Sequence, residues 1–317
     1  MKLSVLDLAP VFQQADAAYA LQQAVILAQT AEKLGYSRYW VAEHHDMPGL
    51  ACTSPEILLA HIGAYTKQIR LGSGALLLPH YKPMKVAESF HMLATLYPDR
   101  IDLGIGRAPG GSAQASIALS GNFLENVRQV PDSLQALLAL LDNRYELEGQ
   151  PVTARPLPAR SPEVWLLGTN KKSADFAAKF GTGFVFGQFM SDRDPAEIIA
   201  SYREQFQPSS RLPEPQVIAA VGVICGETEA EARGLAAEGA HWFKPPEAEA
   251  SQLQARNDST SDQPDPRLFV GTGEQVRVKL EAFGESCGVN EFLIVNIIPD
   301  YVKRLRSYEL LAAEILI

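Results

Sequence analysis

The sequence is short of cysteine, of positive charge and of long apolar runs. Cys52, Cys225 and Cys287 are its only cysteines. They are odd in number and widely separated. That excludes a disulfide framework and a Cys-rich zinc pattern, and a reducing cytoplasm is the expected home. Lys and Arg number 28 against 37 Asp and Glu, a net charge of −9. This balance argues against a surface built on nucleic-acid phosphates. No apolar run reaches the roughly 18 residues that a membrane-spanning helix needs. The opening residues, MKLSVLDLAPVFQQADAAY, place Asp7 inside the one short apolar run and lack a signal-peptide core and cleavage site. Also missing is a Gly-x-Gly-x-x-Gly turn after the first strand, the mark of an open dinucleotide-binding sheet. The glycines of GIGRAPGG have another spacing and follow the fourth strand.

What is present is a repeat of strand-like and helix-like segments. The 317 residues, 46% of them apolar, can fill one large core. Strands are predicted at KLSVLDL, RYWVAE, IRLGSGALLL, RIDLGIG, VWLLG, GFVFGQF, QVIAAVGVIC and EFLIVNII. Helices are predicted between them and after the last. The first carries Leu21, Val25, Ala28 and Leu34 near a 3.6-residue period and stops at Gly35. Thr53 and Glu56, and again Thr228 and Glu231, have capping-box spacing. Pro131 breaks the fourth helix pattern over 122–141. Eight such units predict a single (β/α)8 TIM barrel, an α/β fold spanning residues 1–317 as one domain. Trp242 to Leu268 does not fit the repeat. It reads as a long insertion before the last helix–strand unit: a lid, a binding loop or a disordered insert.

In such barrels the C-terminal strand ends carry the active site. Glu43, His44 and His45 follow strand two, Arg107 follows strand four, and Thr169, Asn170 and Ser173 follow strand five. The residues alone leave three readings of Glu43-His44-His45: metal ligands, catalysts beside an organic cofactor, or polar residues closing a strand. Adjacent histidines on an extended segment point to opposite sides, so one metal ion rarely takes both. Arg107 among glycines suits a bidentate phosphate grip or an ordinary loop salt bridge. LGTNKKSA suits a phosphate cradle at a helix N-terminus, with Lys171 and Lys172 adding positive charge, or a plain N-cap. A phosphate site after strand five would depart from the usual place after strands seven and eight. Gly72 and Gly74 weaken strand three. Close approach of a flat ring, a bulge or unusual peptide geometry, or packing inside the barrel would each explain them.

Together YWVAEHH, IRLGSGALLLPHYKPMKVAE, DRIDLGIGRAPGG and EFLIVNIIPDYVKRLRSYELLAAE resemble the luciferase-like flavin-dependent monooxygenases, the group that includes bacterial luciferase. The resemblance runs from Leu3 to about Glu314, strongest in the first third and at the tail. It implies a TIM barrel that uses reduced FMN as co-substrate and O₂, with a deazaflavin in one branch. It places Gly74 and Ala75 at a non-proline cis peptide that supports the flavin ring. It places Arg107, Thr169, Asn170 and Ser173 at the phosphate. It makes His44 the catalytic histidine, a general acid/base, with His45 beside it, and leaves Glu43 without a role. Gly106 stands where luciferase has a reactive cysteine, so light emission is not implied.

The implied activity is therefore an FMN-dependent monooxygenase acting on an unidentified small organic substrate. Its rivals are a deazaflavin-dependent oxidoreductase, a non-catalytic flavin-binding protein and a metal-dependent barrel hydrolase. No nicotinamide fingerprint is visible, so a separate NAD(P)H:flavin reductase is expected. A homodimer packed through the helix at Ser54–Thr66 is also implied. Asp7, Leu8, Leu78 and Phe186–Phe189 are expected to line the substrate pocket.

Overall fold

Eight parallel strands close into a ring: β1 (Lys2–Asp7), β2 (Arg38–Val41), β3 (Arg70–Leu77), β4 (Ile101–Gly106), β5 (Glu163–Gly168), β6 (Gly183–Gly187), β7 (Val217–Cys225) and β8 (Glu291–Val295). In this computed structural model, which describes residues 1–12, 15–242, 265 and 267–316, each strand pairs with its neighbours in chain order. β8 then returns to β1, with Phe292 opposite Leu3. The fold is the predicted (β/α)8 TIM barrel. Its helices are α1 (Ala17–Lys33), α2 (Pro55–Tyr65), α3 (Pro83–Leu96), α4 (Ala113–Ser120), α5 (Phe123–Arg128), α6 (Val130–Leu141), α7 (Lys171–Lys179), α8 (Pro195–Gln205), α9 (Glu229–Trp242), α10 (Gly273–Cys287) and α11 (Tyr301–Ile315).

Strand alternation separates two cores. Outward residues such as Leu3, Val5, Tyr39, Val41 and Leu71 pack with Ala28, Ile62 and Phe90 of the helices. Inward residues form a second cluster of Leu6, Trp40, Trp165, Val185, Ile218, Leu293 and Val295. The two indoles meet edge to face, centroids 6.0 Å apart. A Cβ at Gly72 would lie 2.5 Å from Trp40 Nε1. Barrel packing is therefore the reason for that glycine.

The N-terminal strand ends are sealed by charge. Asp102 is buried and accepts from Arg38 Nη1 at 2.8 Å, Arg70 Nε at 3.0 Å and Trp40 Nε1 at 2.9 Å. Arg38 donates further to Glu291 at 2.7 Å and Glu163 at 3.1 Å. With the indoles above them, these pairs close the floor of the barrel.

Several local expectations change. Asp7 does not line a pocket. Strand parity turns it outward under α11, where it is fully buried and accepts from Arg304 Nη2 at 2.9 Å, Ala9 N at 2.9 Å and the Tyr39 hydroxyl. Leu78 and Phe186 likewise belong to the outer core, whereas Leu8 and Phe189 pack against the inner cluster. The break expected at Pro131 in the helix over 122–141 is present: the segment forms two pieces that divide at Gln129, with Pro131 in the first turn of α6. Thr53 does not cap α2. Ser54 holds the N-cap without a side-chain bond, and Pro55 opens the helix. A full capping box occurs instead at Thr272 and Gln275 of α10. Helix α4, a short hairpin over 146–151 and a strand at Leu268–Gly271, paired with the end of β7, add to the predicted repeat. The expected insertion over 242–268 lies for the most part outside the described residues.

Removing one member of a buried ion pair strands the other. Arg304→Met should therefore lower unfolding free energy by about 3–5 kcal/mol, read as a shifted urea midpoint. An unchanged midpoint would show that the Asp7–Arg304 pair does not tie β1 to α11.

Candidate active site

Three residues leave β2 at the C-terminal rim, and the structure gives each a different situation. Glu43 is 2% exposed. Its carboxylate accepts from His45 Nε2 at 2.7 Å, the Tyr81 hydroxyl at 2.9 Å and Leu77 N at 2.9 Å. Burial pushes its pKa up, while those donors pull it down. His45 is occupied on both sides. Its ring bonds Glu43 and lies edge-on to His80, centroids 5.7 Å apart, and its backbone N–H donates to the Gly110 carbonyl at 2.8 Å. His44 is anchored by its backbone, which donates to Cys52 O at 2.9 Å. Its ring is not: Nδ1 is buried and has no hydrogen-bond partner. Burial, then the neighbouring His45, hold its pKa below the ordinary 6.5, while the Ala42 backbone pulls the other way. Among the described residues no group of three His, Cys, Asp or Glu side chains is arranged to hold a metal.

Strand β3 forms the adjoining wall. The Gly74–Ala75 peptide is cis, and the Ala75 carbonyl accepts from Glu43 N at 3.3 Å. The pairing of β3 with β4 shifts register between Ser73 and Leu76. A Cβ at Gly74 would lie 2.6 Å from Leu6 Cδ1, and one at Gly106 would lie 3.0 Å from the Ala75 Cβ. A larger residue at 106 would thus push on the cis segment.

Across the mouth, Arg107 leaves β4 and meets the start of α7. Its Nη2 donates to Ser173 Oγ at 2.7 Å, and its guanidinium lies 5.2 Å from the Phe176 ring centroid. No carboxylate pairs with it among the described residues, and burial lowers its pKa. Asn170 is the N-cap of α7, its side chain accepting from Ser173 N at 3.2 Å. No acidic residue stands in the first turn. The Thr169 carbonyl accepts from Ser191 Oγ at 2.9 Å. Lys171 does not add charge at the helix start as the sequence suggests. Its ammonium pairs with Asp175 at 2.8 Å.

Arg107, Asn170 and Ser173 are therefore joined directly, and His44, His45, Gly74 and Ala75 meet through Glu43. Sequence reasoning missed Tyr81 and His80. His80 reaches the Pro109 carbonyl at 2.9 Å and Ser120 Oγ at 3.0 Å, pinning the loop after Arg107. A lone histidine in LLLPHYKP carries no signal of that contact.

The family profile described as luciferase-like monooxygenase matches residues 1–291. The Bacillus subtilis (strain 168) protein YwcH is 39% identical, covering 98% of each chain. N-acetyl-S-alkylcysteine monooxygenase of the same organism is 34% identical, covering all of this chain and 98% of that one. The crystal structure of apo-MsnO8 superposes with a TM-score of 0.89 at 37% identity, covering 99% of this chain and 98% of that one.

The depressed pKa of His44 has a stability consequence. Below its ordinary value of 6.5 the unfolded chain binds a proton that the folded chain refuses. Stability from this group is thus full above that value and falls as pH drops through the window beneath it. His44→Gln should remove part of the acid loss that sets in as pH falls below 6.5, measured by urea unfolding at a series of pH values. Identical slopes in parent and variant would show that burial does not disfavour the imidazolium.

Proposed function

The chain belongs to the luciferase-like monooxygenase family, and from that premise we propose that it is a flavin-dependent monooxygenase. It takes reduced FMN as co-substrate and uses O₂ to oxygenate a small organic molecule. One observation carries the reading: Arg107, with no carboxylate partner among the described residues, donates to Ser173 at the acid-free first turn of α7. A cation beside a helix N-terminus is repelled by the helix dipole unless an anion lies between them. A phosphate monoester supplies that anion, and an arginine fork matches it in shape and charge. Thr169, Asn170 and Ser173 surround the same turn. Gly74 and Ala75 offer bare backbone to a flat ring at the adjoining wall.

When bound, the reduced flavin supplies the electrons and the carbon that reacts with O₂. The protein supplies the proton handling. Burial disfavours the imidazolium of His44, and its Nδ1, without a hydrogen-bond partner among the described residues, is placed to accept one proton and return it. His45, engaged by Glu43, acts as a positioning residue for His44 and for the Arg107 loop. A separate NAD(P)H:flavin reductase supplies the reduced cofactor, and the enzyme works as a homodimer. Ile57 and Tyr65 of α2 and Met92 and Leu96 of α3 are 52–68% exposed, an apolar face on adjacent helices.

Cofactor and catalysis are tested together. FMN and a deazaflavin are titrated by fluorescence quenching, and O₂ uptake is followed with NADH and a flavin reductase. FMN should bind and the deazaflavin should not, and uptake should require the reductase. His44→Ala should keep FMN affinity and lose coupled oxygenation. Arg107→Ala should weaken FMN about 10–100-fold, the worth of a charge-assisted contact, with riboflavin unaffected. Preference for the deazaflavin would sink the FMN assignment, and normal coupling in His44→Ala would sink the role of His44. Light scattering on the purified protein should give twice the mass of the chain, falling to one chain in Ile57→Glu. A parent protein of single mass would remove the dimer.

A further inference from the structure

Lys171 is the first residue of α7 and follows the N-cap Asn170 directly, yet its ammonium is drawn away along the helix. It donates to Asp175 at 2.8 and 3.0 Å and to Ser201 Oγ of α8 at 2.5 Å. Asp175 is held in turn by Ser201 at 2.9 Å and by Gln205 Nε2 at 3.0 Å, and Gln205 also donates to Ser201 at 2.7 Å. One lysine is thus fixed by side chains from two helices.

Helix stabilisation is a poor explanation for this cluster. A pair four residues apart helps most with the acid nearer the N-terminus, and this one has the reverse order. It also sets the cation at the positive end of the helix dipole. What the cluster does accomplish is to draw Lys171 off the helix start. Among the described residues Arg107 is then the cation hydrogen-bonded to the first turn of α7, while Lys172, next to Lys171 in the chain, is exposed and in no ion pair.

We infer that Asp175, with Ser201, sets the affinity of the anion site by holding Lys171 off it. The inference rests on the FMN reading above. A phosphate monoester carries about 1.5–2 negative charges near neutral pH. Two cations would nearly neutralise it and slow its release, whereas one leaves it held and exchangeable. A cofactor that is delivered and returned on every turnover requires such exchange. Asp175 and Ser201 are accordingly affinity-setting residues that need not touch the cofactor.

The test is a double-mutant cycle on the full-length protein, with circular dichroism to check folding. FMN and riboflavin are titrated by fluorescence quenching into the parent, Asp175→Asn, Lys171→Met and the double variant. Asp175→Asn should bind FMN about tenfold tighter, the worth of one partly screened charge contact, and with steeper salt dependence. Riboflavin, which lacks the phosphate, should not change. Lys171→Met and the double variant should match the parent. Ser201→Ala should move in the direction of Asp175→Asn. Unchanged FMN affinity in Asp175→Asn would overturn the inference. So would tightening that survives in the double variant, because the effect would then come from the lost carboxylate and not from Lys171. Weaker FMN binding in Lys171→Met would overturn it as well, since the lysine would already be on the phosphate. A parent that binds no FMN refutes the functional reading and this inference with it; a parent that binds FMN with a null cycle refutes the inference alone.

Discussion

One buried carboxylate organises the barrel mouth. Taking a carboxylate out of water costs several kcal/mol unless donors replace the water. Around Glu43 three donors do, and each belongs to a different segment: Leu77 at the end of β3, Tyr81 before α3, and His45 beyond β2. Satisfying one charge therefore fixes three pieces of the rim against one another. His45 extends the constraint. Its N–H holds the Gly110 carbonyl, and Gly111 packs so closely that a Cβ there would lie 2.2 Å from His45 O. The loop carrying Arg107 is thereby referred back to the strand that carries the cis peptide. His44, between Glu43 and His45 in the chain, is held by its backbone on Cys52, while its Nδ1 has no hydrogen-bond partner among the described residues.

Much of this was legible before any coordinates, and the limits have physical causes. All eight barrel strands stand out because a buried parallel strand needs a continuous apolar run. The rim positions of His44, Arg107 and Asn170 followed from strand order alone. Side-chain direction was harder. Asp7 lies at a strand end, where one residue of register decides between pocket and helix layer, and parity placed it outside with Arg304. Arg304 is almost three hundred residues away in the chain, so no local pattern announces the pair. The same holds for Glu43, whose role depends on Leu77 and Tyr81. Thr53 failed as a cap because Pro55 sets where the helix begins and leaves Ser54 at its boundary. Lys171 does not add its charge at the helix start because Asp175 and, from the next helix, Ser201 take its ammonium. Spacing rules see one segment at a time; partners across segments fix the roles of charged residues.

The two ends of the barrel treat charge in opposite ways, and the contrast is the strongest argument for where the chemistry lies. At the floor, Arg38, Arg70, Asp102, Glu163 and Glu291 bond one another until the donors and acceptors are matched. Such a layer closes the barrel and asks nothing of a ligand. At the mouth, matching stops short. Glu43 is saturated, but among the described residues Arg107 meets a serine hydroxyl and an aromatic face, and His44 Nδ1 has no hydrogen-bond partner. A fold that satisfies five charged groups inside its own floor does not leave a cation and an imidazole wanting for lack of residues. Buried polar groups without partners are costly; His44 Nδ1 is one of several here, with Trp165 Nε1 and Arg211 Nε among the others, and what sets it apart is its place at the barrel mouth. The proposed cofactor is of a kind to meet both groups at the mouth: its anionic tail would lie at Arg107 and its flat body at the cis segment, near His44.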